Sequence, residues 1–134
     1  MSDVKFTDNS GAVLAELKSR VGTALNAIGA VAETHAKELT PVKTGYLRNS
    51  ITHALCNEAP AISSYSSDDG SKIGSYSGNA PISLFPAVYI GTNVEYAPNV
   101  EFGTSRQKAH HMLKKAATEH SAEYKKIAKD ILGG

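Results

Sequence analysis

Leu39-Thr40-Pro41-Val42-Lys43-Thr44-Gly45-Tyr46-Leu47-Arg48-Asn49-Ser50-Ile51 is the stretch on which the fold turns. A residue before proline avoids the helical region, so a helix arriving from the N-terminal side stops at Leu39–Thr40. Proline sets one torsion and Gly45 offers the positive φ that other residues resist, so residues 40–45 turn the chain. From Tyr46 the pattern changes to period two. Leu47, Ile51 and Leu55 point one way, and Arg48, Ser50 and Thr52 the other. That alternation predicts a half-buried strand starting at Tyr46.

Upstream, Leu14, Leu17, Val21, Leu25, Ile28, Ala32, His35 and Leu39 recur at steps of three and four. They form one stripe of an amphipathic helix over residues 10–39. Ser10, or Asp8 just before it, caps the start. Gly22 and Gly29 each weaken the helix by roughly 1 kcal/mol relative to alanine and give room for a close neighbour.

Downstream, residues 57–86 are crowded with serine, glycine and aspartate. The segment is too polar to hold a core and reads as an extended loop or hairpin insertion. Tyr65 and Tyr76 within it suit an adaptable contact surface. A second strand is expected over residues 87–92, with Val88 and Ile90 on one face and Gly91 marking a bulge. Pro98 suits the first turn of a short helix and Gly103 its C-terminal cap. A last helix is expected over residues 109–132, its apolar stripe formed by Leu113, Ala116, Ala117, His120, Tyr124, Ile127 and Ile131.

The expected class is α+β: long N-terminal and C-terminal helices packed on a small antiparallel β-sheet, with a long polar loop between strands. Residues 1–134 are expected to form one domain. Two strands make a marginal sheet. Either the 57–86 segment adds strands or a neighbouring subunit completes it.

Composition narrows the function classes. Aromatic residues make up 7% of the 134 residues and tryptophan is absent, so a modest core of aliphatics and alanine is expected. A formal net charge of +1 argues against a chain that works by neutralising phosphates. Cys56 is the one cysteine, which suits a reducing compartment, and it reads as a small hydrophobe. Residues 1–9 are polar, so no secretory leader is expected. No apolar run approaches the roughly 20 residues that span a bilayer, so no membrane partner is expected.

No His-Glu-x-x-His or Cys-x-x-Cys spacing occurs among the five histidines and one cysteine. His35 and His120 fall on apolar stripes and read as hydrogen-bonded core or interface residues. The serines crowd the polar loop, and no Gly-x-Ser-x-Gly elbow is present. Gly70-Ser71-Lys72 lacks the spacing of a phosphate loop. Glu95 and Glu101 could serve acid–base chemistry, but an ion pair or helix-end contact is the preferred reading. Lysines 114, 115, 125, 126 and 129 read as a solvated helix face. The expectation is a protein without catalytic residues, metal or cofactor, and not an enzyme.

Two blocks carry a family resemblance. One is Ala36 to Ile51, with Pro-Val-Lys-Thr-Gly-Tyr-Leu-Arg-Asn-Ser-Ile at its end. The other is Ile90-Gly91-Thr92-Asn93-Val94-Glu95-Tyr96-Ala97-Pro98-Asn99-Val100-Glu101-Phe102-Gly103-Thr104. In this order they resemble the head–tail joining or tail-completion proteins of long-tailed phages, the gene-ten-like minor structural proteins of lambdoid phages. The resemblance covers about Ala32 to Ala117. Where the family has a Pro-Phe-Leu-type lead into the last helix, this chain has His111-Met112-Leu113.

The resemblance implies a virion protein of the phage neck or tail, assembled in the bacterial host cytoplasm. It would join head to tail, or complete the tail, as a subunit of a hexameric ring. Its implied partners are copies of itself and neighbouring neck, head-closure or tail-tube proteins, with DNA passing through the lumen without specific binding. A tail-tube terminator ring is the alternative, ahead of a small DNA-binding module or a hydrolase. The positions implied as structural or interface residues are Pro41, Thr44, Gly45, Leu47, Arg48 and Ser50 in the first block. In the second they are Gly91, Thr92, Glu95, Tyr96, Ala97, Glu101, Gly103 and Thr104.

Overall fold

Helix α1 (Ser10–Leu39) ends where Pro41 requires it to, and Thr40 closes it by donating its hydroxyl to the Ala36 carbonyl at 2.7 Å. The computed structural model of the protein describes residues 10–133. The candidate cap Asp8 lies outside them. The buried seam of α1 runs through Ala24, Gly29, Ala32 and Ala36, slightly rotated from the larger residues of the stripe. Small residues occupy it because the helix lies close on the sheet. A Cβ at Gly29 would come within 2.6 Å of Val88 Cγ2 and 2.9 Å of His53 Cδ2. Gly22 has no such neighbour within 4 Å, so only one of the two glycines admits a close approach.

After the Pro41 turn comes a helical turn, not the expected strand. Helix α2 spans Tyr46–Ser50, and strand β1 begins only at Thr52 (Thr52–Leu55). Leu47 and Ile51 are four apart, a spacing that fits a helix face as well as alternate strand positions. Gly45 decides between them. At φ 81° it is left-handed, and its carbonyl accepts from Asn49 N at 2.8 Å, closing the turn. Leu47 and Ser50 are then both buried, although strand alternation would have separated them.

β1 pairs antiparallel with β4 (Val88–Gly91), with Thr52 opposite Gly91 and Leu55 opposite Val88. Gly91 is paired in register, so it marks no bulge there. His53 ties β1 to α1, its ring nitrogens lying 3.1 Å from Glu33 Oε1 and 3.1 Å from Asn26 Oδ1. On the outer side of β1, the His53 carbonyl accepts from Ala61 N at 2.9 Å. No backbone hydrogen bond from the described residues reaches the outer edge of β4.

The polar segment holds a second two-stranded ribbon, β2 (Ser64–Ser66) and β3 (Ile73–Ser75). It also holds part of the core, against the expectation that it would be too polar to do so. Tyr65 is buried between Tyr46 and Tyr76, with ring centroids 5.2 and 5.4 Å away. These tyrosines are core side chains and not an adaptable surface. The surrounding glycines serve them: a Cβ at Gly74 would sit 2.5 Å from Tyr65 Cζ. The Tyr65 and Tyr76 phenols each find an acceptor, as packed tyrosines usually do. Tyr76 donates to the Ser50 carbonyl and Tyr65 to Asn93 Oδ1.

Beyond β4 lie α3 (Ala97–Phe102), α4 (Met112–Thr118) and α5 (Ser121–Leu132). Pro98 and Gly103 fall at the start and end of α3 as expected. The single C-terminal helix expected over residues 109–132 is instead two, broken at Glu119–His120. His120 leaves the helical path to stack on His35 of α1, with ring centroids 3.5 Å apart, and Tyr124 donates back to the Ala116 carbonyl. α5 buries no residue fully, and it lies against α1 through half-buried Tyr124, Ile127, Ala128 and Ile131. The class is α+β, with helices on a small antiparallel sheet. Among the described residues no helix is long and apolar enough to cross a membrane.

Truncating Tyr65 to alanine is expected to lower the unfolding free energy by about 3 kcal/mol, as for a buried aromatic. Urea denaturation measures it. A change below about 0.5 kcal/mol, the scale of a surface substitution, would show that the ribbon adds nothing to the core.

Candidate assembly site

The two signature blocks meet at one corner. The first places Pro41, Thr44, Gly45 and Leu47, and the second places Tyr96 and Val100, around a cleft of about 350 Å³. Local chemistry sets each position. Thr44 Oγ1 accepts from Tyr46 N at 3.3 Å, and the Thr44 carbonyl accepts from Asp68 N at 2.7 Å. Gly45 is held to glycine twice, by its positive φ and by Asp68, whose carboxylate would lie 2.3 Å from an added Cβ. Pro41 and Thr44 are exposed, while Gly45 and Leu47 are buried.

Arg48 does not meet Glu95 or Glu101. Its Nη2 donates to Asp68 Oδ1 at 2.7 Å, and Asn49 Nδ2 donates to the same oxygen at 3.0 Å. The arginine therefore pins the β2–β3 ribbon to α2. Both partners are partly exposed, so the pair orients the ribbon more than it stabilises it. In the ribbon's turn, Asp69 accepts from the Ser71 N–H at 2.9 Å and from the Ser71 and Ser67 hydroxyls. These bonds, the Ser71 backbone first, hold its carboxyl down at about 2.

Ser50 and Thr92 join the two blocks directly, hydroxyl to hydroxyl at 2.6 Å. Ser50 also donates to the Leu47 carbonyl at 2.6 Å, and Thr92 Oγ1 accepts from Val94 N at 3.1 Å. Gly91 ends β4 one residue earlier. Ala97 is buried in the first turn of α3, while Glu95 and Tyr96 are exposed. Lys72 Nζ lies 4.4 Å from the Tyr46 ring centroid and 5.7 Å from that of Tyr96, so a cation bridges the blocks over their aromatic faces.

Glu101 is only 6% exposed, and its charge is matched by a helix end. Its Oε1 accepts from Leu113 N at 2.8 Å and its Oε2 from Lys114 N at 3.0 Å. These are unsatisfied donors of the first turn of α4, where the helix dipole favours an anion. The cap residue His111 offers no side-chain cap and sits at φ 48°. It stands where the resembling family carries a proline, and Met112 after it is fully buried and meets Thr40 Oγ1 at 3.2 Å. Gly103 turns the chain between α3 and α4 at φ 79°, with the Gln107 carbonyl 2.9 Å from where a Cβ would stand. Thr104 closes that turn by donating N–H to the Gln107 carbonyl at 2.8 Å.

One side-chain group escaped the sequence pattern because its members are far apart in the chain. His35, His120 and Glu123 bring three metal-capable donors within 4.8 Å of one another. The geometry is that of a staple between α1 and α5. The imidazoles are parallel to within 2°, so their in-plane lone pairs run side by side instead of converging, and His35 Nε2 already bonds Glu123 Oε1 at 2.8 Å.

In these contacts Gly45, Leu47, Ser50, Ala97, Glu101 and Gly103 form buried or turn-making corners of the fold. A protein-family model described as "Bacteriophage HK97-gp10, putative tail-component" matches residues 5–103. The chain belongs to that family of phage tail components, and with it to proteins that work in the virion in contact with other virion proteins. The match takes in the first signature block and all of the second but Thr104, and stops short of α4 and α5. No curated protein and no solved structure shows significant similarity to the chain.

Glu101→Gln keeps one acceptor and should cost about 1 kcal/mol, whereas Glu101→Ala leaves both N–H groups unmatched and should cost about 2–3 kcal/mol. Urea denaturation of the two variants tests this order, and equal costs would show that the carboxylate only fills space.

Burial raises the phenols of Tyr65, Tyr76 and Tyr96 above their ordinary 10.0, and the neighbouring Tyr46 adds to this at Tyr65 and Tyr96. The folded chain thus holds these protons more tightly than the unfolded chain. Their stabilising contribution is complete below pH 10.0 and is lost as pH rises through the raised folded values. Urea midpoints should hold level up to about that pH and fall above it, with phenolate absorbance rising as the chain unfolds.

Proposed function

We propose that this protein is a ring subunit of the phage neck, joining head to tail or completing the tail, with residues 1–134 acting as one assembly unit. The observation that carries the reading is a tail-component fold with apolar side chains exposed at both ends of its sheet. Val13, Leu14 and Leu17 lie on the exposed first turns of α1, Leu84 and Phe85 line a cleft with Lys18, Val21 and Leu25 further along it, and Phe102 lies at the far end. Exposed apolar surface of this kind marks protein contacts. Because the two surfaces differ, copies would meet head to tail, and such contacts close into rings. The open edge of β4 offers backbone groups to a neighbour as well.

In this reading the ring is hexameric. Its other partners are head-closure or tail-tube proteins, and DNA passes through its lumen. The net charge of +1 favours passage over tight binding. Pro41, Thr44, Glu95, Tyr96 and Thr104, the exposed ones among the signature positions named above, are candidate interface positions. Gly45, Leu47, Ser50, Ala97 and Glu101 hold the corner behind them.

Inactivating the gene in the phage that encodes it, followed by negative-stain electron microscopy of the lysate, tests the role. DNA-filled heads beside separate tails are expected. Tails of irregular length would identify a terminator ring instead, and intact infectious particles would reject the neck role.

A further inference from the structure

The proline-bounded segment 81–86 forms an apolar arm. Ile82, Leu84 and Phe85 are 80%, 97% and 77% exposed. The arm leaves the body beside Leu55 and Ala87, at the end of the β1–β4 sheet where the first half of α1 also lies. At the opposite end, beside Ile90 and Thr92, β4, α3 and α4 enclose a groove of about 740 Å³. Its walls are chiefly apolar, with Val94, Ala97, Leu113 and Ala117 among them and Phe102 at the rim, 72% exposed. Protrusion and concavity thus sit at opposite ends of one small sheet.

We propose that the 81–86 arm of one copy fills the β4–α3–α4 groove of the next copy. This contact rests on the ring reading above and names its interface. Three features select a second copy of this chain as the occupant. An exposed apolar segment and an apolar groove lie at opposite ends of the sheet, which makes the contact heterologous, as a ring of identical subunits requires. Each side also offers one lysine and one glutamate for pairing across the contact. Lys18 and Glu58 flank the arm and Glu95 and Lys114 flank the groove, and none of the four makes an ion pair with a described residue. The arm is also short of internal freedom: Pro81 and Pro86 restrict the backbone at either end, which lowers the entropy lost on docking.

The test uses tail particles assembled with the full chain in which Cys56→Ser removes the native thiol and Leu84→Cys and Ala117→Cys place one thiol on the arm and one in the groove. Mild oxidation should link copies into a ladder on a non-reducing gel. Either new cysteine alone should leave the chain as monomer. Efficient dimers from Leu84→Cys alone would reveal a symmetric arm-to-arm contact and overturn the proposal. A chain present in the particles that forms no ladder would overturn the contact and leave the neck reading standing. A wild-type chain absent from the particles by mass spectrometry would overturn the neck reading and the contact with it. Leu84→Asp gives a second measure. At so exposed a position it should leave the far-ultraviolet circular dichroism unchanged while incorporation falls about tenfold or more, because a charge enters an apolar groove. Incorporation at the wild-type level would overturn the contact.

Discussion

The buried carboxylate of Glu101 accepts two backbone N–H groups from the first turn of α4, and the C-terminal part of the chain takes its place from that contact. The last turn of α3 presents the carboxylate. The Val100 and Glu101 carbonyls then accept from His110 N at 2.9 Å and His111 N at 3.0 Å, so the two segments interlock. Met112, the next residue, enters the core between Thr40 and the α2 corner. A buried charge left without partners would be costly, and here the helix end supplies both hydrogen bonds and a favourable dipole. The same bonds position one wall of the groove between β4, α3 and α4.

The second constraint is close approach. α1 lies on β1 and β4 through alanines and Gly29, which leaves little room for large side chains in the seam. The aromatic volume comes from elsewhere, from the Tyr46–Tyr65–Tyr76 cluster that α2 and the β2–β3 ribbon bring together. A chain with no tryptophan and few aromatics concentrates its rings at one corner, where the two signature blocks meet. The Ser50–Thr92 and Lys72–tyrosine contacts then join segments more than twenty residues apart in the sequence.

With only two strands in the main sheet, large apolar side chains stay exposed around it. Among the described residues the β4 edge is open, α1 begins with exposed aliphatics, and Ile82, Leu84 and Phe85 of the 81–86 segment are exposed. This matches a tail component, whose work is contact with other virion proteins.

The sequence alone determined α1, its end at Pro41, β4, α3 with its Pro98 and Gly103 boundaries, and the family, because periodicity, proline and glycine act locally. The helix-end contact of Glu101 was also among the readings it offered. Tertiary structure decided the rest. Leu47 and Ile51 satisfy either period, and only the left-handed Gly45 against Asp68 makes the segment helical. Tyr65 and Tyr76 lie in a polar stretch that looks coreless until Tyr46 and Ser50 come to meet them. His120 breaks an otherwise continuous apolar stripe only because His35 waits on another helix. Each of these outcomes depends on a partner distant in the chain, and local patterning carries no record of such partners.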